Sequence, residues 1–219
     1  MFFPLIGLLI GLVLAGIDFL LSYILPSSII NVIIITGLAV LSGGLHLDGL
    51  ADTIDGTCGS RSREERLEIM RDSRIGSIGA LGLTLILLIQ FITLNSIPDE
   101  YRMGVIILAP ALSRWAMVNA IFVYPCARPD GLGKNFKGQL IGLEYALDTV
   151  ASILLCLILF KLGGVVIMAA VWLTADLSSI LISRKLGGMT GDTYGAINEF
   201  VVMVVFLVLS LLAFNGWLL

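Results

Sequence analysis

Charge is scarce in this chain. Lys, Arg, Asp and Glu make up 13% of 219 residues, against a hydrophobic share of 58%. A soluble globular chain carries about 25% charged and about 45–50% apolar residues, so a water-soluble enzyme and a disordered protein are both excluded. No basic tract is present and the formal net charge is −3, which excludes a nucleic-acid binder that must displace phosphate counterions. The three cysteines, Cys58, Cys126 and Cys156, form no CxxC pair and no Cys/His ligand set, so neither a disulfide scaffold nor a thiolate metal site is expected. Histidine occurs once, as His46.

What the chain has in excess is long apolar runs. About 20 mostly apolar residues are needed to cross the hydrocarbon of a bilayer, and windows near 3–25, 29–46, 77–97, 104–124, 147–162, 164–183 and 200–218 qualify. The expectation is an all-α polytopic membrane protein with about seven transmembrane helices, or six if the fifth and sixth windows form a re-entrant hairpin around Lys161-Leu162-Gly163-Gly164. Transmembrane strands are not expected, because their sequences alternate apolar and polar residues. No Lys or Arg precedes the first run and no small-residue cleavage site closes it, so it reads as a permanent span. With seven crossings, ten of the thirteen Lys and Arg residues fall on one side. The positive-inside rule makes that side cytoplasmic and places the N-terminus there. All three long polar segments, 47–76, 125–146 and 184–199, then share the cytoplasmic face. A single working face suits an enzyme better than a transporter, and residues 1–219 read as one integral membrane catalytic domain.

The richest segment runs from His46 through Asp48, Gly49, Asp52 and Asp55 to Gly56. Asp48, Asp52 and Asp55 are spaced i, i+4, i+7, which on a helix puts three carboxylates on one face with neighbours about 5–6 Å apart. Such acids are tolerated when solvated or sharing a cation, and Mg²⁺ is held by a few carboxylates together with substrate phosphates. Gly49 and Ala51 keep the adjacent positions small. His46 reads as a helix-end hydrogen-bonding residue or a proton carrier. A short amphipathic interfacial helix is predicted near 62–71, with Ser62 and Glu65 as a capping box and Leu67 and Met70 as its apolar face. The Glu/Arg alternation over 63–68 reads as a solvated face without chemistry. Arg71-Asp72-Ser73-Arg74 adds a fourth acid and two arginines suited to phosphate. Arg114 and Asp176 lie inside predicted spans, where ionisable groups are functional candidates; pairing with each other or with Asp18 is the structural alternative.

The block from His46 to Gly56, with Arg71-Asp72-Ser73-Arg74-Ile75-Gly76-Ser77-Ile78-Gly79, resembles the signature of the cobalamin synthase family, the adenosylcobinamide-GDP ribazoletransferases. Ser113-Arg114-Trp115, Gly131-Leu132-Gly133-Lys134, and Gly187-Gly188-Met189-Thr190-Gly191-Asp192 leading to Glu199 match as well. The resemblance implies a Mg²⁺-dependent membrane transferase of the last steps of cobalamin (vitamin B12) biosynthesis. Such an enzyme joins adenosylcobinamide-GDP to α-ribazole or its 5′-phosphate with release of GMP. On this reading Asp48, Asp52 and Asp72 hold the metal, and Asp55 completes the site or serves as general base. Asp52 and His46 share the catalytic role. Arg71, Arg74, Arg114, Lys134, Thr190, Asp192 and Glu199 bind substrate. The setting is the cytoplasmic face of the cell membrane, and related architectures suggest a homodimer.

Two other readings compete. A CDP-alcohol phosphotransferase also uses an Asp-rich, Gly-containing helix with Mg²⁺, but its pattern of Asp-x-x-Asp-Gly followed by Ala-Arg fits only in part. A small cation or proton transporter would use Asp18, Arg114 and Asp176, and should show repeated halves. No such repeat is evident.

Overall fold

The computed structural model describes residues 2–128 and 142–218. Among them there is no strand; the chain forms α1 (Phe3–Leu21), α2 (Ser27–Leu41), α3 (Leu45–Thr57), α4 (Arg63–Ile69), α5 (Ser77–Asn95), α6 (Asp99–Val123), α7 (Gly142–Leu186) and α8 (Gly191–Phe214). Five of these, α1, α5, α6, α7 and α8, are long and apolar enough to cross a membrane, and α2 with α3 would make a sixth if that bent pair were one span. Large apolar side chains such as Leu9, Leu20, Ile92, Leu173 and Leu211 point outward, while Asn31, Gln90, Asn119 and Asn198 are buried. That inversion suits lipid as the solvent, and the protein is a multi-pass membrane protein.

Turn chemistry sets the boundaries. Pro26 and Pro98 stand immediately before α2 and α6, each in extended backbone that starts a helix. Gly43 and Gly44 both adopt positive φ, 64° and 74°, which side chains disfavour. They turn α3 by 86° from α2. The acidic block is therefore not a straight continuation of the 29–46 window. It is a separate helix laid across one end of the bundle, against the first turns of α5 and α8 and the last turn of α7.

α7 folds back on itself. Lys161 leaves the helical region with φ 48° and ψ −125°, Gly164 packs onto the backbone of Cys156, and Trp115 contacts both arms. Its indole Nε1 donates to Thr149 at 3.0 Å and its ring meets Trp172 edge-on at 5.6 Å. The reversal sits at the Lys161–Gly164 break. α6 and α8 form the centre, and α1 closes one side of α6 through Gly7 and Gly11, whose missing side chains admit the α6 backbone around Ile107 and Pro110. Small residues four apart allow this close approach in membranes.

Several polar boundaries differ from expectation. α6 begins at Asp99, so Arg102 lies inside the helix and is buried, bonded to Asp18 at 2.7 Å. Asp18 thus pairs with Arg102, whereas Asp176 accepts from Asn119, Trp172 and Tyr124. The 184–199 segment is not a loop: Arg184 and Lys185 end α7, and α8 starts at Gly191. α4 has the expected Ser62–Glu65 capping box, but its arginines are not a solvated face. Arg63 donates to the carbonyls of Leu186 and Ala127, both at 2.7 Å. Arg66 is buried and donates to the carbonyls of Gly56, Thr57, Gly59 and Arg61. The two arginines tie α4 to the end of α3 and to the α7–α8 connection.

Candidate active site

Helix period alone places Asp48, Asp52 and Asp55 on one face of α3, but the three meet different surroundings. Asp48 lies in the first turn, where a carboxylate complements the helix dipole. It lines a cleft of about 410 Å³ with His46, Arg114 and Asp192. Asp55 turns the other way: its two carboxylate oxygens accept from the backbone N–H groups of Gly76 and Gly79, each at 2.8 Å. It caps the N-terminus of α5, and the absence of side chains at Gly76 and Gly79 leaves room for it.

Asp52 sits between them and its carboxyl is strongly perturbed. Burial, then Asp48, Asp192 and Asp55, push its carboxyl up to about 6, with Arg128 opposing. α3 is too short to cross a membrane by itself, and Asp52 is only half-buried. A carboxyl whose pKa is raised by folding favours the fold while protonated. Its contribution is greatest below the ordinary value of 3.8 and is lost as pH rises through about 6. Asp52→Asn should therefore raise the melting temperature at pH 7.5 by about 1–2 °C, the carboxylate being partly solvated. Mg²⁺ should raise the melting temperature of the parent protein and not of the variant. A lower melting temperature for the variant in metal-free buffer would mean that the acids are not repelling one another.

Asp192 joins the acids from α8. Thr190 caps that helix, its hydroxyl accepting from Thr193 N–H while Thr193 returns the bond to Thr190 N–H. This places Asp192 in the first turn. Gly49 and Gly195 let α3 and α8 approach: a side chain at Gly49 would strike the Asp192 backbone, and one at Gly195 would meet His46. Arg128 stands 3.9 Å from Asp192 and donates to Leu67 O. It is held there by the pairing of residues 125–127 with Met189, through Ala127 N–H to Met189 O at 2.8 Å and Met189 N–H to Pro125 O at 2.7 Å. The sequence offered no signal for Arg128 beyond its positive charge in a long polar segment.

Behind the acids lies a buried polar layer. Burial, then the Arg114 charge, push His46 down to about 4 despite a hydrogen bond with Asn198. The ring is therefore neutral at physiological pH. Asn198 also donates to Ser113 at 2.9 Å. Arg114 donates to Pro110 O at 3.1 Å, and Glu199 accepts from Gln90 at 3.1 Å. Asn198 and Gln90 belong to this layer and escaped the sequence reading, since single amides inside apolar runs look like ordinary span residues.

The remaining predicted residues lie elsewhere. Asp72 and Arg74 are exposed and form a forked ion pair, 2.6 Å at its shortest, which holds Asp72 down to about 2. Arg71 lines a surface hollow with Arg61, Glu65, Glu68 and Asp72. Lys134 lies outside the described residues. Among the described residues no three His, Cys, Asp or Glu groups form a ready metal cage. Mg²⁺ does not require one, because it is usually held by one or two carboxylates with water and substrate phosphates. Asp48 and Asp192 line one cleft, and two carboxylates completed by water and substrate phosphates fit the ion.

A family model described as cobalamin-5-phosphate synthase matches residues 1–210. Similar curated proteins are named adenosylcobinamide-GDP ribazoletransferase. The one from Roseiflexus sp. (strain RS-1) is 42% identical over 212 residues, covering 97% of this chain and 79% of the relative. That from Desulforamulus reducens is 39% identical over 210 residues, 95% of this chain and 84% of the relative. That from Geotalea daltonii is 35% identical over 215 residues, 98% and 86% respectively. No solved structure matches the chain.

Proposed function

The chain belongs to the cobalamin-5-phosphate synthase family, and from that premise we propose that it joins adenosylcobinamide-GDP to α-ribazole 5′-phosphate at the acidic end of the bundle. The enzyme is a transferase of the final steps of cobalamin synthesis. The CDP-alcohol phosphotransferase and transporter readings lose their support with the family assignment. One observation carries the proposed site: α3 and α8 set Asp48 and Asp192 on one cleft with His46 and Arg114, and both acids act on the Asp52 carboxyl.

In the proposed reaction a ribose hydroxyl of the acceptor attacks the phosphorus bonded to the cobinamide. A new P–O bond forms to the ribose, the P–O bond to GMP breaks, and GMP leaves with the electron pair. Bound Mg²⁺ would supply neutralisation of the diphosphate charge, with one or two of Asp48, Asp52 and Asp192 as its protein ligands. Asp52 or a neighbouring carboxylate takes the hydroxyl proton, while neutral His46 orients the hydroxyl by accepting a hydrogen bond. Arg114 and Arg128 complement phosphate charge. Asp55 positions rather than reacts, since α5 engages both of its oxygens. Arg71, Asp72 and Arg74 are left to guide the large donor at the surface, and Lys134, Thr190 and Glu199 to support substrate binding. The same proposal has seven crossings, each arm of α7 counting as one. It places the N-terminus and acidic end on the cytoplasmic side of the cell membrane, in agreement with the basic residues gathered there, and pairs two copies as a homodimer.

The test is turnover by purified protein in lipid nanodiscs supplied with both substrates and either Mg²⁺ or EDTA, followed by product mass and GMP release. Condensation in Mg²⁺ and none in EDTA is expected. A folded protein that makes no corrinoid product in Mg²⁺ would sink the proposal.

A further inference from the structure

The cleft that holds Asp48 has an apolar half that the acids and arginines do not explain. Phe3, Ile6 and Ile10 of α1 line it together with Met117 and Ile121 of α6. We infer that this cleft is the acceptor subsite, its wall from α1 and α6 taking the benzimidazole base of α-ribazole 5′-phosphate. The inference rests on the reading proposed above and assigns one substrate to one place within it.

Size and polarity separate the two substrates. The donor carries a corrin macrocycle and a guanosine diphosphate, and the corrin cannot enter a space of about 410 Å³. The acceptor is a flat aromatic base on a ribose, the scale of ligand that a pocket of about 300–1,000 Å³ encloses. Its base is apolar on both faces and its sugar is polar, matching a cleft with Ile10 and Met117 in one part and His46, Asp48, Arg114 and Asp192 in another. With the base against α1 and α6, the ribose comes next to Asp48, where the proposed reaction needs the attacking hydroxyl. The place of α1 follows as well: Gly7 and Gly11 draw it against α6, which sets the width of the wall.

Filling the wall tests the assignment. Ile10→Trp and Met117→Trp would each be placed in nanodiscs, and α-ribazole 5′-phosphate titrated calorimetrically without donor. Steady-state KM values would be measured for both substrates. We expect the acceptor Kd and KM to rise about tenfold or more, with the donor KM and the Tm unchanged. Ile10→Ala, which opens the wall, should bind an acceptor analogue carrying an additional fused ring more tightly than the parent does. Unchanged acceptor binding in a folded Trp variant overturns the inference, and so does a rise in the donor KM instead. Either result leaves the reaction itself standing. Absence of any corrinoid product from the parent protein would instead remove the proposed function.

Discussion

Asp48→Asn is expected to lower turnover by about 10³-fold while leaving the melting temperature within about 2 °C of the parent. Loss of the charge removes an oxygen ligand and the negative field that would hold a divalent cation at the cleft. A factor of 10³ corresponds to about 4 kcal/mol of transition-state stabilisation, the scale expected when charge neutralisation is lost at a phosphoryl group. Structure should survive because Asp48 is an exposed residue in the first turn of α3, and Asn keeps its shape. GMP release at saturating substrates, beside circular dichroism and a thermal melt, separates the two effects. Turnover above about a tenth of the parent's would move the metal away from Asp48 and toward Asp52 and Asp192 alone.

Arg102→Met should have the opposite profile: a large loss of stability, with turnover per folded molecule retained. Arg102 donates to Asp18 at 2.8 Å and to Asn31 at 2.6 Å, and Asn31 donates to Asn95 at 3.0 Å. Four helices, α1, α2, α5 and α6, are thereby joined at the end of the bundle away from α3. Removing one partner of a buried ion pair leaves the other charge uncompensated, at a cost of about 3–5 kcal/mol. For a chain of this size that is a fall of about 10 °C in melting temperature. Pairing the change with Asp18→Leu should recover most of it, because the orphaned carboxylate is then gone. If the double variant is no more stable than Arg102→Met alone, the cost lies in packing around the guanidinium and not in the stranded charge.

The helices themselves were legible because their signals are local. Runs of twenty apolar residues can satisfy backbone hydrogen bonds in lipid only as helices, and the Ser62–Glu65 capping box is a four-residue pattern read by the same four residues. The common face of Asp48, Asp52 and Asp55 follows from helical period alone. What the period could not say is what each carboxylate meets, since Asp55 finds two N–H groups more than twenty residues away while Asp52 finds Asp192 on another helix. The bend at Gly43-Gly44 was also hidden, because two glycines at the end of an apolar run continue a span or break it depending on what packs beyond them. Arg63 and Arg66 looked like a solvated face for the same reason: their acceptors are carbonyls, which no sequence pattern marks, and for Arg63 they lie 64 and 123 residues distant. Local chemistry thus determined the elements, the membrane setting and the acids on offer. Only tertiary contact between α3, α8 and the 125–128 segment decided which acids share one cleft, because electrostatic neighbourhoods depend on distance in space and not along the chain.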